Sequence, residues 1–156
     1  MKPVASISLR PEDFGSGGLA CLGWQVAEVI RAIDSACPGL SWYVADVQTV
    51  GYQFPFRRRP TPEQVGDSTA LENAARMVEQ FESGVFVGVP AAIEAPRWRS
   101  GGLYTDDEER AELGDALVEV RAFDTTSVTI ACSDDVLLVR AFDNLKRRDP
   151  STEPWK

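Results

Sequence analysis

Residues 117–133, LVEVRAFDTTSVTIACS, constrain the fold more than any other part of the chain. LVEVRAFD and SVTIACS each alternate apolar with polar side chains, and they flank the turn residues Asp124 to Thr126. Successive side chains of a strand point to opposite faces, so this pattern predicts an antiparallel hairpin with one face on a core. SDD follows directly. There Asp134 is placed to cap a helix over Asp135–Arg147, with acids at its start and Lys146, Arg147 and Arg148 at its end, as the helix dipole favours.

The remaining elements follow from spacing. Val4 and Ile7 alternate in PVASISL, a first strand that Pro11 ends. After the glycines of GSGG at 15–18, apolar residues recur at Leu19, Leu22, Val26, Val29, Ile30 and Ile33, which is helical spacing, and Pro38–Gly39 stops that helix near Cys37. LSWYVADVQTV, 40–50, is aromatic and β-branched and predicts a strand with Trp42, Val44 and Asp46 on one face. Residues 51–68, rich in proline, glycine and arginine, predict a long loop. A second helix is expected from a Ser68 or Thr69 cap to near Gly84, with Leu71, Ala74, Ala75, Val78 and Phe81 as its apolar stripe. GVFVGVPAAI, 84–93, is a short apolar run and predicts a buried strand. Residues 94–115 predict a second exposed excursion.

The order β, α, β, α, β, β, β, α gives an α+β fold: a mostly antiparallel sheet of about five strands with about three helices packed on it, ending in a hairpin followed by a helix. A hairpin where a parallel fold needs a crossover argues against a doubly wound sheet. At 156 residues the chain suits one domain, expected over 1–148, with a frayed polar tail at 149–156.

Composition narrows the function. The chain has no histidine, which removes the commonest general base and the usual serine and cysteine triads. Cys21, Cys37 and Cys132 are widely spaced among apolar neighbours and predict buried free thiols; neither a metal site nor a cofactor is expected. The net charge of −8 argues against nucleic acid as a partner and for a basic protein. No apolar run is long enough for a membrane span and no secretory signal is visible, so the expectation is a cytoplasmic protein that does not enter membranes.

Four acids at expected strand ends, turns and caps, Asp46, Glu119, Asp124 and Asp134, are the candidates for carboxylate chemistry, although each position equally suits a turn or cap. GSGG lacks the residues of a phosphate loop and predicts a turn. Two segments combine aromatic and charged residues as interfaces do. Tyr52, Phe54 and Phe56 precede an arginine run that includes Arg58, while Trp98 and Tyr104 precede Asp106, Asp107, Glu108 and Glu109. An acidic loop of the second kind could be offered to a basic cleft.

The alternating strand from Leu117, its FDTTS turn, the second strand and the SDD that opens a helix resemble the C-terminal part of small bacterial α+β proteins, some of them immunity proteins of toxin systems. The SISL strand, the helix ending in AIDSA and the WYVAD strand are similar to the N-terminal half of the same group. The resemblance implies a non-enzymatic inhibitor that covers the active site of a toxin or effector; it does not extend to the two aromatic and charged segments, whose residue types make Tyr52, Phe54, Phe56, Arg58, Trp98, Tyr104, Asp106, Asp107, Glu108 and Glu109 the expected contacts. A carboxylate-based hydrolase or transferase and a structural or oligomer-forming module are the alternatives.

Overall fold

A computed structural model describes residues 4–15, 18–51, 54–56, 58–107 and 113–147. They form six strands and three α-helices: β1 (Ala5–Leu9), α1 (Gly23–Ala36), β2 (Leu40–Val50), β3 (Glu63–Gly66), α2 (Ser68–Arg76), β4 (Gln80–Pro90), β5 (Val118–Phe123), β6 (Ser127–Cys132) and α3 (Asp135–Lys146). The strands make one sheet in the order β1-β6-β5-β4-β2-β3, and every pairing is antiparallel. The α+β class is thus as the sequence predicts, with one strand more than expected. The tail from Asp149 lies outside the described residues.

The hairpin of β5 and β6 turns through Asp124 and Thr125, both with left-handed φ (46° and 57°), and Thr126 N–H closes it onto Phe123 C=O at 2.8 Å. Two left-handed central residues make a type I′ turn, whose twist matches that of the strands. Asp134 caps α3 by accepting a hydrogen bond from Val136 N–H at 2.9 Å.

All three helices lie on one face of the sheet. α1 is central, flanked by α2 and α3, and its stripe of Val26, Val29, Ile30 and Ile33 is fully buried against Trp42, Val44, Phe86, Val118, Val120 and Ile130. Gly23, its first residue, is required by the closeness of α2: a Cβ there would sit 1.9 Å from Val78 O and 2.3 Å from Ala75 O. Leu19, expected in this helix, lies before it and is exposed.

The second helix differs from its prediction. Asp67 caps it, accepting from Ala70 N–H at 2.9 Å, while Ser68 Oγ accepts from the buried Trp42 indole at 2.8 Å. It ends at Arg76, and Phe81 belongs to β4. The eleven-residue β2 needs a partner as long as itself, and pairing of Val50 with Gln80 and Thr49 with Phe81 overrides the helical spacing of Val78 and Phe81. The loop predicted over 51–68 also contains β3. This four-residue strand carries one strongly apolar side chain, Val65, and starts next to Pro62, which an edge position tolerates.

The described residues of the excursion at 94–115 form a third layer rather than an exposed loop. Leu103, Leu113 and Trp98 cover Tyr43, Ala45, Val85, Val87 and Val89 on the face of the sheet opposite the helices. A strand that is apolar on both faces, as GVFVGV is, requires cover on both.

Candidate functional site

The site is built where β2 and β4 lose register. Ala45 pairs with Val85 and Gln48 with Ser83, leaving Asp46 and Val47 opposite Gly84; Thr49 then pairs with Phe81, leaving Glu82 as the extra residue of β4. A bulge reverses the alternation of faces. Val47 and Phe81 therefore turn into the helix-side core, and Asp46, expected beside Trp42 and Val44, turns to the other side. Asp46 adopts a left-handed φ of 52°, a conformation that Asp accepts more readily than most residues.

Every polar group of Asp46 is engaged. Its N–H donates to Arg59 C=O at 2.6 Å and its C=O accepts from Ser83 Oγ at 2.8 Å. One carboxylate oxygen accepts from Arg58 Nε at 3.1 Å and the other from Thr105 N–H at 2.9 Å. Arg58 also donates to Gln48 Oε1, and Thr105 Oγ1 accepts from Gly84 N–H at 3.0 Å. One residue thus joins the β2 bulge, the segment around Arg58 and the covering segment around Thr105.

Beneath Thr105 lies a buried ionic network. Arg99 grips Glu119 through Nε and Nη2, each 2.9 Å from a different carboxylate oxygen, and donates through Nη1 to Asp107 at 2.8 Å. The Arg99 and Glu119 side chains are both 3% exposed. Burial opposes the charge on Arg99, but the hydrogen bonds and charges of Glu119 and Asp107 outweigh it and hold the guanidinium above its ordinary pKa. Arg121 adds donations to the carbonyls of Thr105 and Asp107. The network fixes the covering segment to β5 and so sets the position of Tyr104, Thr105 and Asp106.

Together these elements enclose an open cleft of about 590 Å³ lined by Asp46, Arg58, Pro60, Glu82, Ser83, Tyr104, Thr105, Asp106, Phe123 and Asp124. Four carboxylates face one guanidinium, and that guanidinium is already held by Asp46. Among the described residues no group of three or more Cys, Asp or Glu could hold a metal ion. Tyr104 and Phe123 are 46% and 41% exposed, so two large rings stand in water beside the acids.

The expected contacts separate into groups. Arg58, Tyr104 and Asp106 meet in the cleft. Phe54 does not join them: it is buried edge-on against Phe81 at 5.6 Å, with half-buried Phe56 at 5.4 Å closing the helix-side core. These two rings, expected as displayed anchors, instead fill the space that the end of β4 opens. Trp98 packs on Tyr43 at 4.9 Å, and Asp107 is tied to Arg99 and to Tyr104 N–H. Tyr52, Glu108 and Glu109 lie outside the described residues. Of the four strand-end acids, Asp46 and Asp124 share the cleft, Glu119 pairs with Arg99 and Asp134 caps α3. Glu82 and Phe123 are cleft residues that sequence reasoning missed. Phe123 was visible as the last apolar position before the turn, but Glu82 carries no signal, because only the bulge exposes it there.

Fold and cleft together define an α+β domain with an acidic, aromatic-rimmed surface cleft at the bulged end of its sheet. No family model, curated protein or solved structure matches the chain.

Proposed function

We propose that the protein is a non-enzymatic, cytoplasmic protein-binding domain of the immunity type, which neutralises a toxin or effector by taking a basic element of that partner into the cleft. The observation that carries this reading is the exposure of Tyr104 and Phe123 beside four carboxylates. Water-exposed rings next to unmatched negative charge suit a lysine or arginine side chain, which gains from both the carboxylates and the ring faces. The net charge of −8 speeds encounter with a basic partner. Asp46, the most buried of the four, already accepts a hydrogen bond on each carboxylate oxygen and acts as a wall of the cleft. The resemblance of the hairpin and SDD helix to immunity proteins points the same way.

The alternative is a carboxylate-based hydrolase or transferase, favoured by the meeting of four acids in one cleft. One experiment separates the two. The tagged protein is used to capture partners from its host, including proteins encoded beside it, and the captured partner is titrated by calorimetry against the cleft variants Tyr104→Ala and Asp106→Lys. The proposal expects one stoichiometric basic protein and a loss of affinity of about tenfold or more for each variant. A partner indifferent to both variants would refute the cleft as its site, and hydrolytic activity abolished by Asp46→Asn would establish the enzymatic reading instead.

A further inference from the structure

We propose that the group the cleft takes from its protein partner is an arginine side chain, recognised as a guanidinium and not as a positive charge alone. The inference rests on the reading of the cleft as the site for a basic partner and names the side chain that enters it.

The charges around the cleft leave a remainder. Arg58 balances Asp46 at its side, and Arg99 and Arg121 balance Glu119 and Asp107 beneath it. Among the described residues the other three carboxylates of the lining, Glu82, Asp106 and Asp124, have no hydrogen bond or salt bridge. The backbone gathers them. Glu82 sits in the β4 bulge and Asp124 at a left-handed turn position, and their neighbours Ser83 and Phe123 are paired across β4 and β5. Asp106 is held by its neighbour Asp107, which Arg99 fixes at 2.8 Å. Like charges on adjoining strands are unfavourable, and a cation brought by a partner relieves them.

The protein shows on itself what such a set accepts. Arg99 takes Glu119 of β5 through Nε and Nη2, and Asp107 of the covering segment through Nη1. The cleft draws on the same two sources: Asp124 from the turn that ends β5 and Asp106 from the covering segment, with Glu82 as a third acid. A guanidinium has five N–H donors in one plane and can serve carboxylates that approach from different sides, whereas an ammonium has three donors about a single point. The walls favour the same choice. Tyr104 and Phe123 are exposed in the cleft, and among the described residues neither is in ring contact with another aromatic side chain. A guanidinium can lay its flat face on such a ring while its edge bonds the acids, and it gives up water more readily than an ammonium does.

The test follows the backbone amide NMR shifts of the full chain at low salt during titration with a capped glycine–arginine–glycine tripeptide, its lysine counterpart and free arginine. The arginine tripeptide is expected to shift the amides of Ser83, Thr105 and Asp124 and to bind about fivefold or more tightly than the lysine one. Asp106→Asn, at an exposed position, weakens both tripeptides alike by about threefold or more, because it removes charge and no ring face. Tyr104→Leu and Phe123→Leu, also at exposed positions, each reduce the arginine preference to about twofold or less, with a dispersed spectrum confirming that each variant is folded. Free arginine brings its own carboxylate into a negative cleft and binds more weakly than the capped tripeptide; tighter binding would make a free amino acid the ligand and overturn the proposal. Equal affinity for the two tripeptides, a preference that survives both ring variants, or no shift at the cleft up to about 20 mM also overturns it. Equal affinity leaves the basic-partner reading standing, whereas that reading fails on a captured partner indifferent to the cleft variants, so the two are refuted by different results.

Discussion

Replacing Arg99 with methionine keeps much of the side chain's volume and removes its charge. Among the described residues Glu119, 3% exposed, then keeps Arg121 as its cation, with Nε 4.0 Å away, and Asp107 loses its 2.8 Å contact with the guanidinium. Breaking one side of a buried ion pair costs about 3–5 kcal/mol, because the surviving charge stays desolvated. A domain is stable by about 5–15 kcal/mol in total, so about a fifth of the stability or more is at stake. At roughly 2–4 °C per kcal/mol for a chain of this size, the melting temperature falls by roughly 6–20 °C. Removing the second charge as well, in Arg99→Met/Glu119→Leu, recovers most of that loss, since an apolar pair of similar volume suits a buried site at least as well as an ionic one. Urea denaturation followed by circular dichroism measures all three proteins. If the single variant loses less than about 1 kcal/mol, or the double variant is no more stable than the single, the pair is not desolvated and the reasoning fails.

Two further outcomes concern titration. Burial raises the pKa of Glu72 above the ordinary carboxylate value even though Arg76 lies 3.6 Å away. A folded-state pKa above the unfolded one means that the ionised group opposes folding at neutral pH and ceases to do so as pH falls below the unfolded value. Glu72→Gln is therefore expected to match or exceed wild-type stability at pH 7 and to lose that advantage in acid; denaturant midpoints across pH measure this, and a variant less stable at pH 7 contradicts it. Burial likewise pushes the thiols of Cys21 and Cys132 up to about 11 and about 12. At pH 8 a thiol-specific disulfide reagent should label half-buried Cys37 readily and the other two only in denaturant; three fast equivalents in the folded protein would show that the burial is wrong.

The parts legible in the sequence were those where local pattern and tertiary need agree. β5, β6 and α3 each carry their own signal: alternation, a turn that takes left-handed residues, and a capping Asp134. Phe81 marks the opposite case. It sits at a helical spacing from Val78, but β2 requires a strand there, and long-range pairing wins. Residues 94–115 looked exposed because they are polar and irregular, yet a few apolar residues among them, Trp98, Leu103 and Leu113, suffice to cover a sheet. The cleft was half legible. Tyr104, Asp106, Asp46 and Asp124 stood out by residue type, whereas Glu82 enters through a one-residue slip of register that leaves no trace in composition.

The sheet order has a consequence for synthesis. β1 lies beside β6, so the first strand made waits for the last: Ser8 and Thr129, bonded at 3.1 Å, are separated by 121 residues. At about 5–20 residues per second, that gap corresponds to roughly 6–24 s of translation during which β1 lacks β6. Native contacts of such long range also slow folding once the chain is complete, because a large loop must close before they contribute. Truncation anywhere before β6 would therefore release a product whose first strand never gains that neighbour, and ribosome stalling late in the message should be more harmful than stalling early.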